Sequence, residues 1–161
     1  IGIGARWRLA KNAAISVDYG QNRTVFGRYM NGHTRYEHTA GTSTFTLRGR
    51  ERGGVPAFWV MRFDLGNVDM GVPGSWNAFI DYKAFDHGSF FGGNGTESLP
   101  DRYLDGIRSF TVGAGYVPVE NLLVEAFYTF DAKGIGMRDT LYGPETFKLG
   151  NYTRVQVTYR F

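Results

Sequence analysis

Residues 152–161 alternate polar and apolar side chains without interruption. Thr153, Val155, Val157, Tyr159 and Phe161 fall on one face of an extended chain, and Tyr152, Arg154, Gln156, Thr158 and Arg160 fall on the other. The stretch is longer than the roughly 5–6 residues usual for a strand in a soluble sheet, and it has the length of about 9–11 residues that a tilted strand needs to cross a membrane. One face suits hydrocarbon and the other suits water.

Six further stretches repeat the pattern. Residues 1–9 set Ile3, Ala5 and Trp7 against Arg6 and Arg8, and residues 13–20 set Ile15, Val17 and Tyr19 against Ser16 and Asp18. In residues 57–66, Trp59, Met61, Phe63 and Leu65 oppose Arg62 and Asp64; in 76–86, Trp76, Ala78, Ile80 and Tyr82 oppose Asn77, Asp81 and Lys83. Residues 109–117 oppose Phe110, Val112, Ala114 and Tyr116 to Ser109, Thr111, Gly113 and Gly115, and residues 122–133 oppose Leu122, Val124, Ala126, Tyr128 and Phe130 to Glu125, Thr129 and Asp131. Seven long two-faced strands with charges confined to one face predict an all-β antiparallel transmembrane β-barrel in a single segment, 1–161.

The connections support that expectation. Short ones at 11–12, 67–75 and 118–121 alternate with long ones at 21–56, 87–106 and 133–151, the asymmetry of short periplasmic turns and long extracellular loops. Residues 42–50 have β propensity but only Phe45 and Leu47 as an apolar face. As an eighth wall strand they would invert the parity upstream, so they are assigned to the long extracellular loop 21–56. A repeat links Gly4 to Asn12, with its following strand, to Gly113 to Asn121 and its strand, as in barrels assembled from reused hairpins. Seven strands cannot close a single-chain bacterial barrel, whose count is even. The chain is therefore expected to be seven or eight strands of a larger barrel, with further strands upstream of Ile1.

Composition narrows the alternatives. No run of 18 apolar residues exists, which removes a transmembrane helix and leaves a barrel open. Without cysteine there are no disulfides, thiolate metal sites or Cys nucleophiles. A net charge of +3, from 18 basic and 15 acidic residues, is too small and dispersed for nucleic acid.

Candidate chemistry is sparse. His33, His38 and His87 all lie in connections, and His33 and His38 with Glu37 between them have no metal-ligand spacing. The glycine-rich run from Phe90 to Thr96 lacks the lysine of a phosphate loop. No catalytic, metal or cofactor residues are assigned, and an enzyme is not expected. The charged face is more informative: Arg6, Arg8, Asp18, Arg62, Asp64, Asp81, Lys83, Glu125, Asp131, Arg154, Gln156 and Arg160 are assigned to a water-filled lumen, the alternative being the solvated face of an open sheet. The loop 21–56 carries a basic set, Arg23, Arg28, Arg35, Arg48, Arg50 and Arg52, that either narrows the channel or covers its rim.

The run from Leu65 to Asn77 ending Pro-Gly-Ser-Trp-Asn, then Asp81-Tyr-Lys83, the turn Pro118-Val-Glu-Asn-Leu122 and the terminal Tyr-Arg-Phe161 resemble the C-terminal half of OmpM-type porins, whose N-terminus carries an S-layer-homology domain. The resemblance spans about 57–161. It implies a homotrimeric channel of about sixteen strands in the bacterial outer membrane, passing small hydrophilic solutes by diffusion without a cofactor. It also implies contact with outer-membrane lipid, recognition of Phe161 by the barrel-insertion machinery, and attachment to peptidoglycan only through a domain absent from this chain. A different reading is a complete eight-stranded barrel serving as an anchor or adhesion module; a third is a soluble ligand-binding barrel.

Overall fold

The computed structural model describes residues 1–39, 44–89, 106–135, 138–140, 143–145 and 148–161. The glycine-rich run beginning at Phe90, most of the 87–106 connection and the side chains of His38 and Arg48 lie outside the described residues. The strands are β1 Gly2–Ala10, β2 Ala13–Gln21, β3 His33–Thr39, β4 Thr44–Glu51, β5 Ala57–Asn67, β6 Trp76–Phe85, β7 Ile107–Val119, β8 Leu122–Gly134, β9 Arg138–Thr140, β10 Gly143–Glu145 and β11 Tyr152–Tyr159, with one short helix, α1 Val25–Met30.

The seven alternating stretches form one open antiparallel sheet in the order β1-β2-β5-β6-β7-β8-β11. Among the described residues β3 and β4 pair only with each other, as do β9 and β10, so the segment Thr44–Glu51 stands outside the sheet. The short connections gather at one end of the sheet and the long ones at the other. At the short end, Asp69 accepts from the Gly71 amide at 2.9 Å, while Ser75 Oγ donates to the Asp69 carbonyl at 2.8 Å. Gly74, at φ +84°, turns the chain back, and its amide donates to the Val117 carbonyl. Phe161 belongs to this end, because the Arg160 amide donates to the Asn121 carbonyl in the β7–β8 turn.

Between bulges near the sheet's two ends, continuous register carries the two faces through all seven strands. One face runs through Arg6, Ser16, Arg62, Asp81, Thr111, Thr129 and Tyr152, and in the next row through Arg8, Ala14, Asp64, Phe79, Gly113, Phe127 and Arg154. The opposite face runs through Trp7, Ile15, Phe63, Ile80, Val112, Tyr128 and Thr153. Burial inverts the soluble pattern. Val155 and Val157 are 66% and 62% exposed, whereas Lys83, Ser109, Thr111 and Thr129 are at most 1% exposed. The polar side chains shield one another, as they do where a sheet curls toward that face, and the apolar side is left outward.

Between the Met61–Tyr82–Phe110–Phe130 row and the Trp76–Tyr116–Val124–Val157 row, the outward face holds no Asp, Glu, Lys or Arg. Its upper margin is aromatic: Tyr82 packs on Trp59 at 4.8 Å and on Phe110 at 4.7 Å, and Phe110 stacks on Phe130 at 5.7 Å. Trp76, Tyr116 and Tyr159 mark the lower margin, all about half exposed.

Two features depart from the sequence reading. The inward face is not polar throughout, because at the long-connection end Phe85, Ile107 and Ala132 are buried together, with Phe58, Val60 and Leu149 packed against them. Phe58 stacks on Phe85 at 5.2 Å, and only a glycine at position 20 leaves room for the Phe58 ring. In β8, Asp131 and Ala132 together oppose Ser109. This bulge, with Asp131 at φ +51°, passes the inward phase to Ala132. Asp131 therefore leaves the lumen-facing set; its carboxylate is half exposed and lies 2.7 Å from Lys133.

Candidate functional site: the inward polar face

The remaining charges assigned to the lumen separate into three groups. β6 places Lys83 and Asp81 two residues apart on the inward face, with Nζ 3.3 Å from Asp81 Oδ1. Lys83 Nζ also donates to Thr111 Oγ1 at 2.8 Å, and Thr111 lies 2.9 Å from Thr129 Oγ1, which extends the chain of contacts across β6, β7 and β8. These groups are buried. A charged pair removed from water persists where further polar contacts accompany it; on the Lys83 side Thr111, itself in contact with Thr129, provides one. The expectation of hydrated charges fails at Asp81 and Lys83.

The second group is open to solvent. Arg62 Nε donates to Asp64 Oδ1 at 2.7 Å, and Arg6 Nη2 lies 3.7 Å from Asp64 Oδ2. Arg6 and Arg8 border a polar recess of about 320 Å³ between β1, β2 and β5. Arg62 also lies 3.6 Å from the centre of the Phe79 ring, a cation–π contact. Phe79 is 6.0 Å from Phe127 across β7, and Arg154 stands over Phe127 at 5.9 Å. Arginine, two rings and arginine thus follow one another on β5, β6, β8 and β11, with β7 passing between the rings. Gly113 makes the arrangement possible, since a Cβ there would run into the Phe79 ring and lie 2.9 Å from Phe127. Phe79 and Phe127 are inward residues that a search for charges passes over; their phase, shared with Asp81 and Glu125, was the available signal.

The third group lies toward the edges. Asp18 is exposed and its carboxylate covers Gly4. Arg154 donates to Gln156, and Gln156 to Thr158 at 3.3 Å, along β11. Glu125 pairs with Gln156 in register. Arg160 lies beyond the end of β11, exposed.

The basic set of residues 21–56 is dispersed rather than clustered. Arg50 closes the C-terminus of α1: Nε donates to the Tyr29 carbonyl at 3.0 Å, and Nη2 to those of Met30 and Gly32 at 3.0 and 3.1 Å. Thr24 caps the other end, accepting from the Gly27 amide at 2.9 Å. Arg35 pairs with Glu51 at 3.0 Å, and Arg23 donates to Gln21. Arg28 and Arg52 are exposed. The helix rests on the turn after β6, where Asn22 Nδ2 donates to the Gly88 carbonyl at 2.8 Å, so this part of the connection lies at the end of the sheet.

Among the described residues, no three His, Asp or Glu side chains converge as metal ligands would. Compared with known proteins, the chain matches no family model and no curated protein.

Proposed function

We propose that the chain is wall of a bacterial outer-membrane β-barrel of porin type, with the apolar face toward lipid and the charged face toward a solute path. The carrying observation is the uncharged outward band. From Phe130 at the upper margin to Leu122, the partner of Tyr159 at the lower one, is eight residues of β8, about 27 Å of strand, which a tilt of roughly 40° projects to about 21 Å, near the ~25 Å apolar band of such barrels. Aromatic margins suit its two interfaces. In water, so much exposed apolar surface would promote association. Among the described residues the outer edges of β1 and β11 have no strand partner, which favours further wall strands, because an open edge in hydrocarbon costs several kcal/mol per unsatisfied group; the number of about sixteen comes from the OmpM resemblance. The homotrimer, the reading of Phe161 by the insertion machinery and the absence of enzymatic chemistry belong to the same proposal.

Burial of Asp81, Lys83, Thr111 and Thr129 favours a second reading on one point. An interior packed with side chains is the property of a small eight-stranded barrel that anchors or adheres without conducting. Planar-bilayer recordings separate the two. In the porin reading the polypeptide containing this chain conducts, and Arg62→Gln or Arg154→Gln shifts its ion selectivity. A barrel that inserts without conducting favours the anchor. A chain that folds and stays dissolved without detergent rejects both.

A further inference from the structure

Arg108, Lys133 and Lys148 stand abreast on the outward face at the long-connection end. Arg108 pairs with Lys133 in register, and Lys133 pairs with Lys148 through an isolated bridge. Directly opposed residues share a face, with Cβ atoms about 4.5–5.5 Å apart. Leu149 packs inward against the Phe85, Ile107 and Ala132 cluster, which turns its neighbour Lys148 to the other side. Against three cations the row holds, among the described residues, one carboxylate, Asp131, 2.7 Å from Lys133. Like charges placed opposite one another are unfavourable, so the row has positive charge to be neutralised.

The surroundings specify the counter-charge. A recess of about 560 Å³ at the sheet edge lies among Tyr128, Phe130, Asp131, Lys133, Lys148 and Asn151, with Ala132 and Leu149 of the inward cluster closing it behind. Its floor is aromatic, with Tyr128 stacked on Phe130 at 5.8 Å and held by Asn151 Nδ2, which donates to its hydroxyl at 2.6 Å. Below this shelf the uncharged outward face begins. Arg108 is two residues beyond Phe110, about 7 Å of strand, a height comparable to the roughly 5–7 Å of polar headgroup on each side of a bilayer core.

We propose that Arg108, Lys133 and Lys148 bind the phosphate of a lipid headgroup in the leaflet at the long-connection end. The inference rests on the lipid-facing reading of the outward surface. A free phosphate would use only the cations, whereas a phospholipid or phosphorylated glycolipid also lays its acyl chains on the aromatic shelf and the apolar face below it.

The test is native mass spectrometry of the whole polypeptide containing this chain, folded in zwitterionic micelles and titrated with a phosphorylated acyl-disaccharide, its dephosphorylated form and inorganic phosphate. Retention of the phosphorylated lipid is expected, reduced at least tenfold by Lys133→Gln with Lys148→Gln. Lys148→Gln alone, at an exposed position, should give an intermediate loss, and Lys11→Gln at the opposite end none. Equal retention of both lipid forms, or no change in the double variant, overturns the proposal. Inorganic phosphate binding as tightly as the lipid overturns the lipid source and leaves a free-anion site. A chain that stays dissolved without detergent removes the lipid-facing reading, and this inference with it.

Discussion

Gly113 is the position where a single atom decides the inward face. Its missing Cβ leaves space for both Phe79 and Phe127, and the two rings carry Arg62 and Arg154. Gly113→Ala is expected to destabilise the folded protein by about 1–3 kcal/mol, the scale of overpacking a filled site. Adding Phe79→Leu to the Gly113→Ala variant should recover part of that loss, and denaturant titration of the parent, the two single variants and the double variant measures the coupling. Arg50 acts on a different unit. Arg50→Ala removes the hydrogen bonds to the last two carbonyls of α1 and to that of Gly32 just beyond it and should lower the local opening free energy by about 1–2 kcal/mol, read as faster amide exchange at Asn31 and Gly32. Exchange in β6 and β7 should not change. Neither role follows from composition: Arg50 reads as one more loop cation until its partners are known, and Gly113 reads as a weak strand residue until the rings beside it are placed.

At the scale of the strand, phase carries nearly all the information. The seven stretches are legible in the sequence because alternation persists over enough residues to fix both extent and orientation, and residues 44–51 stand apart because Phe45 and Leu47 make too small an apolar face. What phase does not announce is its own interruption. The bulge at Asp131 moves one carboxylate off the inward face, and the local sequence of alternating Phe130, Asp131 and Ala132 contains nothing that marks it. Charge also diverts attention from Phe58, Phe79, Phe85 and Phe127, which share the inward phase but pack as hydrophobes. The strand-level test is a pair of neighbouring substitutions in β11. Val155→Arg should abolish assembly, since arginine on the lipid side costs about 2–4 kcal/mol near the midplane, while Gln156→Arg, on the inward face beside Arg154, should assemble at normal levels. Heat-modifiable migration of the folded band measures both.

The sheet presents a single physical contradiction to water: below the row of Arg108, Lys133 and Lys148 its outward side is apolar and bare, while its inward side carries charges. An open sheet of this kind is stable where hydrocarbon covers the outer face and where β1 and β11 find partners, so lipid orientation is the claim on which channel, anchor and headgroup binding all depend. Nitroxide labels placed singly at Ile80, Val112 and Val155, and at Asn77, Glu125 and Gln156, in protein reconstituted into liposomes test it most directly. Collisional relaxation should show strong oxygen and weak nickel-chelate accessibility at the first three positions, reversed at the second three, so that accessibility switches between the two faces within β6 and within β11. Nickel accessibility equal at both sets, or higher at Val112 and Val155, would contradict a lipid-facing wall.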